Sequence, residues 1–385
     1  MLYFKYLWLV ISLPLTGFLV IFSPEQIWIS PLIIALIHLV YDTFWPEYTK
    51  DLDVKYKGYF NALLYFQLPN SIFLIWVLLW QVTPGDLFNF GSSVEIFIGI
   101  DVLDKHELMN IHTLIICTIA IAFVHSSNTI VAHELTHRTR NPTAMFIGRW
   151  LLVNVFDSQF SISHVYGHHR NVATKEDPAT ARRGEGLYAF FIRSSIGQYI
   201  ESWEIESAKL KRSNKSIFSF HNTFLIGITC SFIIMIIFGF FANLAGVGIF
   251  LLHCLTTKFI FESVNYIEHY GLVRLAGTKV EPRHSWDCYT QSSTFVFYNL
   301  SRHSCHHANA NIPFWKLVSY ENVPKLKLGY FISMIIAMIP FAWHRFMAPS
   351  LENWDNKMAT EDERKLAYEA NLESNHRVFS INNEY

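Results

Sequence analysis

The chain has 385 residues, with 30 Lys and Arg against 31 Asp and Glu, a formal net charge of −1, 18 histidines and five cysteines. Only 16% of the residues are charged and 51% are apolar, against about 25% charged in an ordinary soluble domain; this excludes a disordered chain, and the lack of a basic excess excludes a nucleic-acid binder. None of the cysteines forms a C-x-x-C pair, which excludes a disulfide scaffold and a thiolate metal site.

The apolar residues fall into six runs, at 7–22, 27–45, 62–82, 111–132, 224–244 and 247–267. Most approach the roughly 20 residues a helix needs to cross the hydrocarbon core. The expected fold is therefore all-α, an integral membrane protein with six transmembrane helices, forming one domain over residues 1–385. Only Lys5 precedes the first run and no clean cleavage site follows it, so it reads as a retained helix. At the end of the second run, Tyr41, Phe44 and Trp45 read as interface aromatics, with a cap over a substrate channel as the other reading. Gln67, Pro69 and Asn70 interrupt the third run and either line a channel or kink the helix. The sixth run contains Glu262, and a carboxylate inside a span is costly and usually functional. Lys258, four residues before it, offers a purely structural ion pair instead. Gly246 and Gly248 read as the hairpin turn between the last two runs. A seventh stretch, Leu328–Trp343, is short and holds Pro340; it reads as a helix in or on the membrane face. The tail 350–385 reads as a solvated end.

Orientation follows from the basic residues. With the N-terminus in the cytoplasm, the pieces 1–6, 46–61, 133–223 and 268–385 share one side and hold 28 of the 30 Lys and Arg. The exceptions are Lys258 and Lys105, the latter in an outer loop, 83–110, that carries five carboxylates. Both termini are then cytoplasmic, as are the histidine-rich segments 133–223 and 268–320.

Nine histidines cluster: His133 and His137 in H-E-L-T-H; His164, His168 and His169 in H-V-Y-G-H-H; His269 in N-Y-I-E-H-Y-G; and His303, His306 and His307 in H-S-C-H-H. Spacings of three and four put such side chains on one helix face, the geometry of metal ligation. On an α-helix His164 and His168 share a face and His169 points away, which suits ligands of two different metals. The expected topology places His133 just past the end of its span and brings all nine to one side of the membrane. H-E-x-x-H also marks zinc metalloproteases, but one catalytic zinc takes about three protein ligands and leaves most of the cluster unexplained. Imidazole suits Zn, Cu, Fe and Ni alike, so the spacing leaves the metal open.

The set H-x3-H, H-x3-H-H, H-x2-H-H on a six-span chain resembles the membrane di-iron desaturase and hydroxylase superfamily. Within it the chain is most similar to the alkane 1-monooxygenases, through H-E-L-T-H-R at 133–138, the 164–182 stretch ending E-D-P-A-T-A-R, N-Y-I-E-H-Y-G-L at 265–272, H-S-W at 284–286 and R-H-S-C-H-H-A at 302–308. It departs from them in the last box, where Ser301 and Cys305 stand in place of Gln and Asp. A Cys cannot orient an imidazole as an Asp does, so the departure bears on substrate specificity more than on the metals. The resemblance implies two non-haem irons held by the nine histidines, with Glu134, Asp177, Glu262 and Glu268 as candidate partners of ligand imidazoles. It also implies hydroxylation of the terminal methyl of an n-alkane that enters from the bilayer, using O2 and external electrons, in a bacterial inner membrane. Xylene-type methyl monooxygenases and fatty-acyl hydroxylases or desaturases share the chemistry. The electrons come from a separate donor, a rubredoxin or ferredoxin-type protein with its NAD(P)H reductase. Arg170, Arg182, Arg183, Lys209, Lys211 and Arg212 are candidate docking residues, or positive-inside charge facing anionic lipid.

Overall fold

The computed structural model describes residues 2–52 and 54–380, and among these the chain is helical, without a strand. Five helices are long and apolar enough to cross a membrane: Tyr3–Phe22, Pro24–Phe44, Lys57–Val82, Ile111–Thr136 and Thr223–His269. The last has 47 residues, about twice the length that spans a bilayer core. It leaves helical geometry at Ala242 and at Asn243, where φ is 53°, a value that asparagine tolerates better than most side chains. The turn therefore lies ahead of Gly246 and Gly248, where the sequence placed it, and these two glycines are helical. Gly246 is needed for close packing, since a Cβ there would collide with the Phe238 carbonyl. The fourth span also runs on past its expected end, to Thr136, and takes in His133.

The chain divides into two compact units. The first holds residues 1–37, 55–161 and 222–260. Its core is Leu13, Leu74, Val77, Leu78, Trp80, Ile121, Phe238 and Phe250. The third span is jointed at Phe66, between Lys57–Tyr65 and Gln67–Val82. Asn70 bridges that joint to the first span, donating to the Val10 carbonyl at 3.2 Å and to Gln67 Oε1 at 3.2 Å, so these polar residues serve the bend and its packing.

Inside a bilayer, hydrophobicity no longer drives helices together, and packing and interhelical hydrogen bonds take over. A chain of such bonds crosses this unit. Asn154 donates to Ser71 Oγ at 2.8 Å, Ser71 Oγ meets His125 Nε2 at 2.7 Å, and His125 Nδ1 meets His253 Nε2 at 2.9 Å. His125→Phe leaves Ser71 and His253 facing a ring that cannot bond. Its expected cost is about 1–3 kcal/mol, seen as a lower melting temperature with bound metal unchanged. Lys258 reaches Asp157 at 2.8 Å, a partner other than the Glu262 expected of it. The loop 83–110 orders itself with its own carboxylates: Asp86 accepts the Gly91 and Ser92 N–H groups, and Glu95 those of Val102 and Leu103.

The second unit holds residues 38–54, 162–221 and 261–385. Tyr41, Phe44 and Trp45 are exposed, with the Tyr41 and Trp45 rings stacked at 4.8 Å, as interface aromatics are. Leu328–Trp343 is broken at Met338 and Ile339 into the end of one short helix, Tyr330–Ala337, and the start of another, Pro340–Lys357.

The tail is not a solvated end. Pro340–Lys357 and Glu361–Glu373 are helices, and both are bonded to the histidine-bearing segments; residues 381–385 lie outside the described residues. Arg183 is buried, with Nη1 and Nη2 on the Asp355 carboxylate at 2.7 and 2.5 Å, Nη1 on Asn371 at 2.9 Å and Nε on the Gly271 carbonyl at 2.8 Å. That burial removes Arg183 from the candidate docking residues. Glu363 takes His284 Nε2 at 2.7 Å and Arg283 Nε at 2.9 Å, and Trp354 donates to the Arg283 carbonyl at 2.7 Å.

Burial opposes the charge on Glu363, but hydrogen bonds from His284, Arg283 and the Thr360 N–H outweigh it and hold the carboxyl at about 2. Burial also lowers His284 from its ordinary value. Both groups bind protons more readily in the unfolded chain, so the clamp strengthens as pH rises. Its stability is full above about pH 6.5, weakens as His284 is drawn toward protonation, and weakens again from about pH 4.5 downward. Melting temperatures measured from pH 7 to about pH 3 should fall with pH, and Glu363→Gln should flatten the limb below about pH 4.5.

Candidate metal centre

The second histidine box does not follow an α-helix. Ser163–His168 is a π-helix, set between short α-turns at Phe160–Ile162 and His169–Asn171. A π-turn repeats at i+5, which aligns His164 with His169. Their Nε2 atoms lie 3.0 Å apart, and His306 Nε2 lies 3.1 Å from that of His169. His169 thus faces His164, against the sequence expectation; the His168 ring still stacks on His164 at 5.0 Å, but its Nε2 is directed to His269.

His168 joins His269, His303 and His307 in a fully buried group. The Nε2 atoms meet in sequence: His168 to His269 at 3.2 Å, His269 to His303 at 3.0 Å and His303 to His307 at 3.1 Å. One hydrogen bond satisfies one such pair, and four nitrogens converging in this way suit a shared cation. Ligands about 2.1 Å from a metal lie about 3 Å apart when adjacent in an octahedron, which matches these separations. The acceptors behind the rings favour the same tautomer: Asp177 Oδ2 faces His168 Nδ1 at 2.8 Å, and Glu268 Oε1 faces His303 Nδ1 at 3.3 Å. Each places the proton on Nδ1 and leaves Nε2 as a ligand. Burial, reinforced by the neighbouring histidines, pushes His307 well below the ordinary imidazole value, so its ring stays neutral, as ligation requires.

The four expected carboxylates have different roles. Asp177 and Glu268 touch imidazoles, and both are anchored from behind, Asp177 by the Thr180 hydroxyl at 2.5 Å and Glu268 by the Tyr330 hydroxyl at 2.8 Å. Glu262 accepts from Ser194 at 2.7 Å and Gln198 at 2.8 Å, which ties its helix to Leu187–Arg212. Glu134 is held through Oε1 by Arg138 at 2.6 Å, and Arg138 also donates to Asn61 at 2.7 Å. His133 and His137 stand on the same helix end with ring centres 5.1 Å apart, and Phe160 lies edge-on to His133 at 5.9 Å.

His303–Ala308 has six residues and is fastened from outside its own motif. Asp287 Oδ1 accepts the Ser304 N–H at 2.6 Å, and Oδ2 accepts the Tyr289 hydroxyl at 2.6 Å. Burial pushes the Asp287 carboxyl up to about 6 against these bonds. Cys305 turns away to accept the Val318 N–H at 3.5 Å. The carboxylate serving this helix is thus Asp287, directly after H-S-W. Asp287, Tyr330 and Glu201, whose carboxylate lies against Gly167 in the π-turn, were all missed from the sequence. Of these, only Asp287 adjoins a motif that could have drawn attention to it.

The fatty acid desaturase family model matches residues 110–353. The chain belongs to the fatty acid desaturase family. This family member is 33% identical over 227 residues to Alkane 1-monooxygenase 2 of Alcanivorax borkumensis, which covers 58% of the chain and 59% of the relative. It is 32% identical over 276 residues to an alkane 1-monooxygenase of Pseudomonas putida, covering 68% of the chain and 67% of the relative. It is also 28% identical over 262 residues to the hydroxylase component of a xylene/toluene monooxygenase of Pseudomonas putida, covering 66% and 69%.

Proposed function

We propose that this chain is a membrane di-iron monooxygenase that converts the terminal methyl group of n-alkanes to 1-alkanols. The observation that carries the proposal is the convergence of His168, His269, His303 and His307 through Nε2, in a chain similar to alkane 1-monooxygenases over more than half its length. The four hold one iron. His164, His169 and His306 hold the second, and the resemblance to the alkane 1-monooxygenases adds His133 and His137 to the ligand histidines. Bound iron supplies the reductive activation of O2. In the overall balance the alkane, O2, two electrons and two protons give the alcohol and water.

The protein's own part is to orient and to exclude. Asp177 and Glu268 hold the imidazole tautomers, Glu262 fixes the helix that ends at His269, and Glu134 is fixed by Arg138. A Glu134 already paired to a guanidinium is poorly placed as the general base that the H-E-x-x-H protease reading needs. Terminal attack is a matter of positioning, with the chain end presented from the bilayer. The break at Ala242 and Asn243 supports reading the fifth long helix as two spans, six in all; in this reading both termini are cytoplasmic in a bacterial inner membrane. A rubredoxin or ferredoxin-type protein with an NAD(P)H reductase supplies the electrons.

The test is iron analysis, followed by turnover with O2, a reductase system and a mixture of alkanes and alkylbenzenes. Two irons per chain and a 1-alkanol are expected. One zinc, or no terminal alcohol from any alkane, would sink the proposal. Similarity to the xylene/toluene component favours a second reading, oxidation of aryl methyl groups, which the same products reveal.

The π-turn gives a sharper test. A Cβ at Gly167 would meet the Glu201 carboxylate, the movable end of that side chain, which must swing aside. Gly167→Ala is expected to weaken iron binding by at most about tenfold. Gly167→Ala/Glu201→Ala, which removes the obstacle, should restore much of it in a metal titration.

A further inference from the structure

Hydroxylation as proposed consumes two electrons, and the chain needs a place to receive them. The H-S-W segment runs alongside two of the three helices that carry the four-histidine group. The Trp286 N–H donates to the Glu268 carbonyl at 2.8 Å, and its indole N–H donates to the Tyr270 carbonyl at 2.9 Å. Trp286 thus holds the residues on either side of His269. Next to it, Asp287 holds the Ser304 N–H, one residue from His303.

The other side of this segment faces a cavity of about 310 Å³, whose lining includes Trp286, Lys325, Lys327, Glu321 and Trp354. Lys325 Nζ stands 4.9 Å from the Tyr289 ring centre, and Lys327 Nζ 5.9 Å from that of Phe346. Neither lysine forms an ion pair among the described residues. Lys327 is exposed and its charge is available to a partner, while the half-buried Lys325 also faces the Asp287 carboxylate; each ammonium lies over an aromatic ring.

Near the second box, Arg170 and Arg182 are exposed and form no ion pair among the described residues, but the basic residues around them are occupied. A larger cleft, about 620 Å³, lies there beside Lys175, Arg182, Arg183 and Arg274. Lys175 is paired with Glu373 at 2.6 Å, Arg183 is buried on Asp355, and Arg274 is occupied by the carbonyls of Val172, Arg170 and Thr278. Lys209 is paired with Glu206.

We propose that the Lys325–Lys327 cavity is the docking site of an acidic one-electron carrier protein, with Trp286, a buried residue of its lining, as the aromatic link from that cavity to the His269 ligand segment. Each encounter oxidises the carrier by one electron and reduces the enzyme by one, so two encounters serve one hydroxylation. The proposal rests on the monooxygenase reading for its purpose, but the docking itself can be measured without turnover.

The test uses the full chain in detergent and a purified acidic rubredoxin as probe. Binding of oxidised rubredoxin is measured at low salt and at about 0.5 M, where charges are screened within a few ångströms. Lys325→Glu/Lys327→Glu is expected to raise Kd, and the KM for reduced rubredoxin, about tenfold. High salt should bring the unaltered protein toward the same values, and kcat at saturating donor should stay within about twofold. Lys211→Glu/Arg212→Glu, two basic residues at the end of the helix Leu187–Arg212, should change neither constant. Unchanged Kd and KM in the 325/327 variant would overturn the proposal, as would a shift produced by the 211/212 variant instead. So would a 325/327 variant that loses only binding to phosphatidylglycerol vesicles, which would make the lysines a lipid site. If no substrate is hydroxylated but rubredoxin binding still depends on Lys325 and Lys327, the docking site stands and the proposed reaction falls.

Discussion

Replacing His269 by alanine is expected to leave about one iron per chain instead of two and to reduce hydroxylation by at least about 100-fold. His269 Nε2 lies within 3.2 Å of His168 and 3.0 Å of His303, so it occupies the middle of the four-nitrogen group. Its loss opens that group at its centre, whereas loss of an acceptor such as Asp177 only releases one ring, a defect typically worth 10–100-fold. The control is His284→Ala. His284 is equally buried but directs Nε2 to Glu363 and takes the Glu281 N–H on Nδ1, so this variant should keep both irons. Iron per chain, measured by mass spectrometry beside product formation, distinguishes the two. An H269A protein that retained both irons would remove His269 from the proposed ligands.

Arg183→Met should destabilise the protein by about 3–5 kcal/mol, the cost of leaving one partner of a buried ion pair alone. The Arg183 side chain is 1% exposed and that of Asp355 21%, so the carboxylate can recover some hydration and the lower end of that range is expected. Arg183→Met/Asp355→Leu should regain much of the loss, since apolar replacement of a whole buried pair is often close to neutral. The Gly271 carbonyl also bonded by Arg183 lies two residues past His269, so R183M should soften the metal segment as well as the tail. Limited proteolysis should cut R183M within 340–380 before the unaltered chain is cut, and a melting curve gives the magnitude. Equal melting temperatures would mean that the tail is held by other contacts.

How far the sequence revealed this architecture depended on the range of the interactions. The long apolar helices were legible because a span is a local property of some twenty residues, and the histidine boxes because ligand spacing is also local. Where one helix ends and the next begins was less legible. The break at Asn243 needs only one residue of positive φ, and two glycines nearby offered a more conspicuous but wrong position. The tail was misread because its helices are polar and its anchors are distant: Arg183 and Asp355 are 172 residues apart, and Arg283 and Glu363 are 80 apart. Tyr330 behind Glu268, and Glu201 against Gly167, have the same origin in long-range packing. The partition of the second box failed for a different reason. The α-helical wheel applied to it has the wrong period for a π-turn.

That turn restricts which sequence changes the segment can accept. His164 and His169 meet only because five steps separate them, so removing or inserting a residue between them would exchange which ring faces which neighbours. Substitution inside the interval is a milder event. Tyr166 is half exposed and Val165 is partly exposed, so both can vary in chemistry without altering the count, whereas His168 is held by its place in the four-histidine group. The stretch should therefore tolerate mutation at those two positions while rejecting any change in its length. A one-residue deletion there should be more damaging than the simultaneous replacement of Val165 and Tyr166.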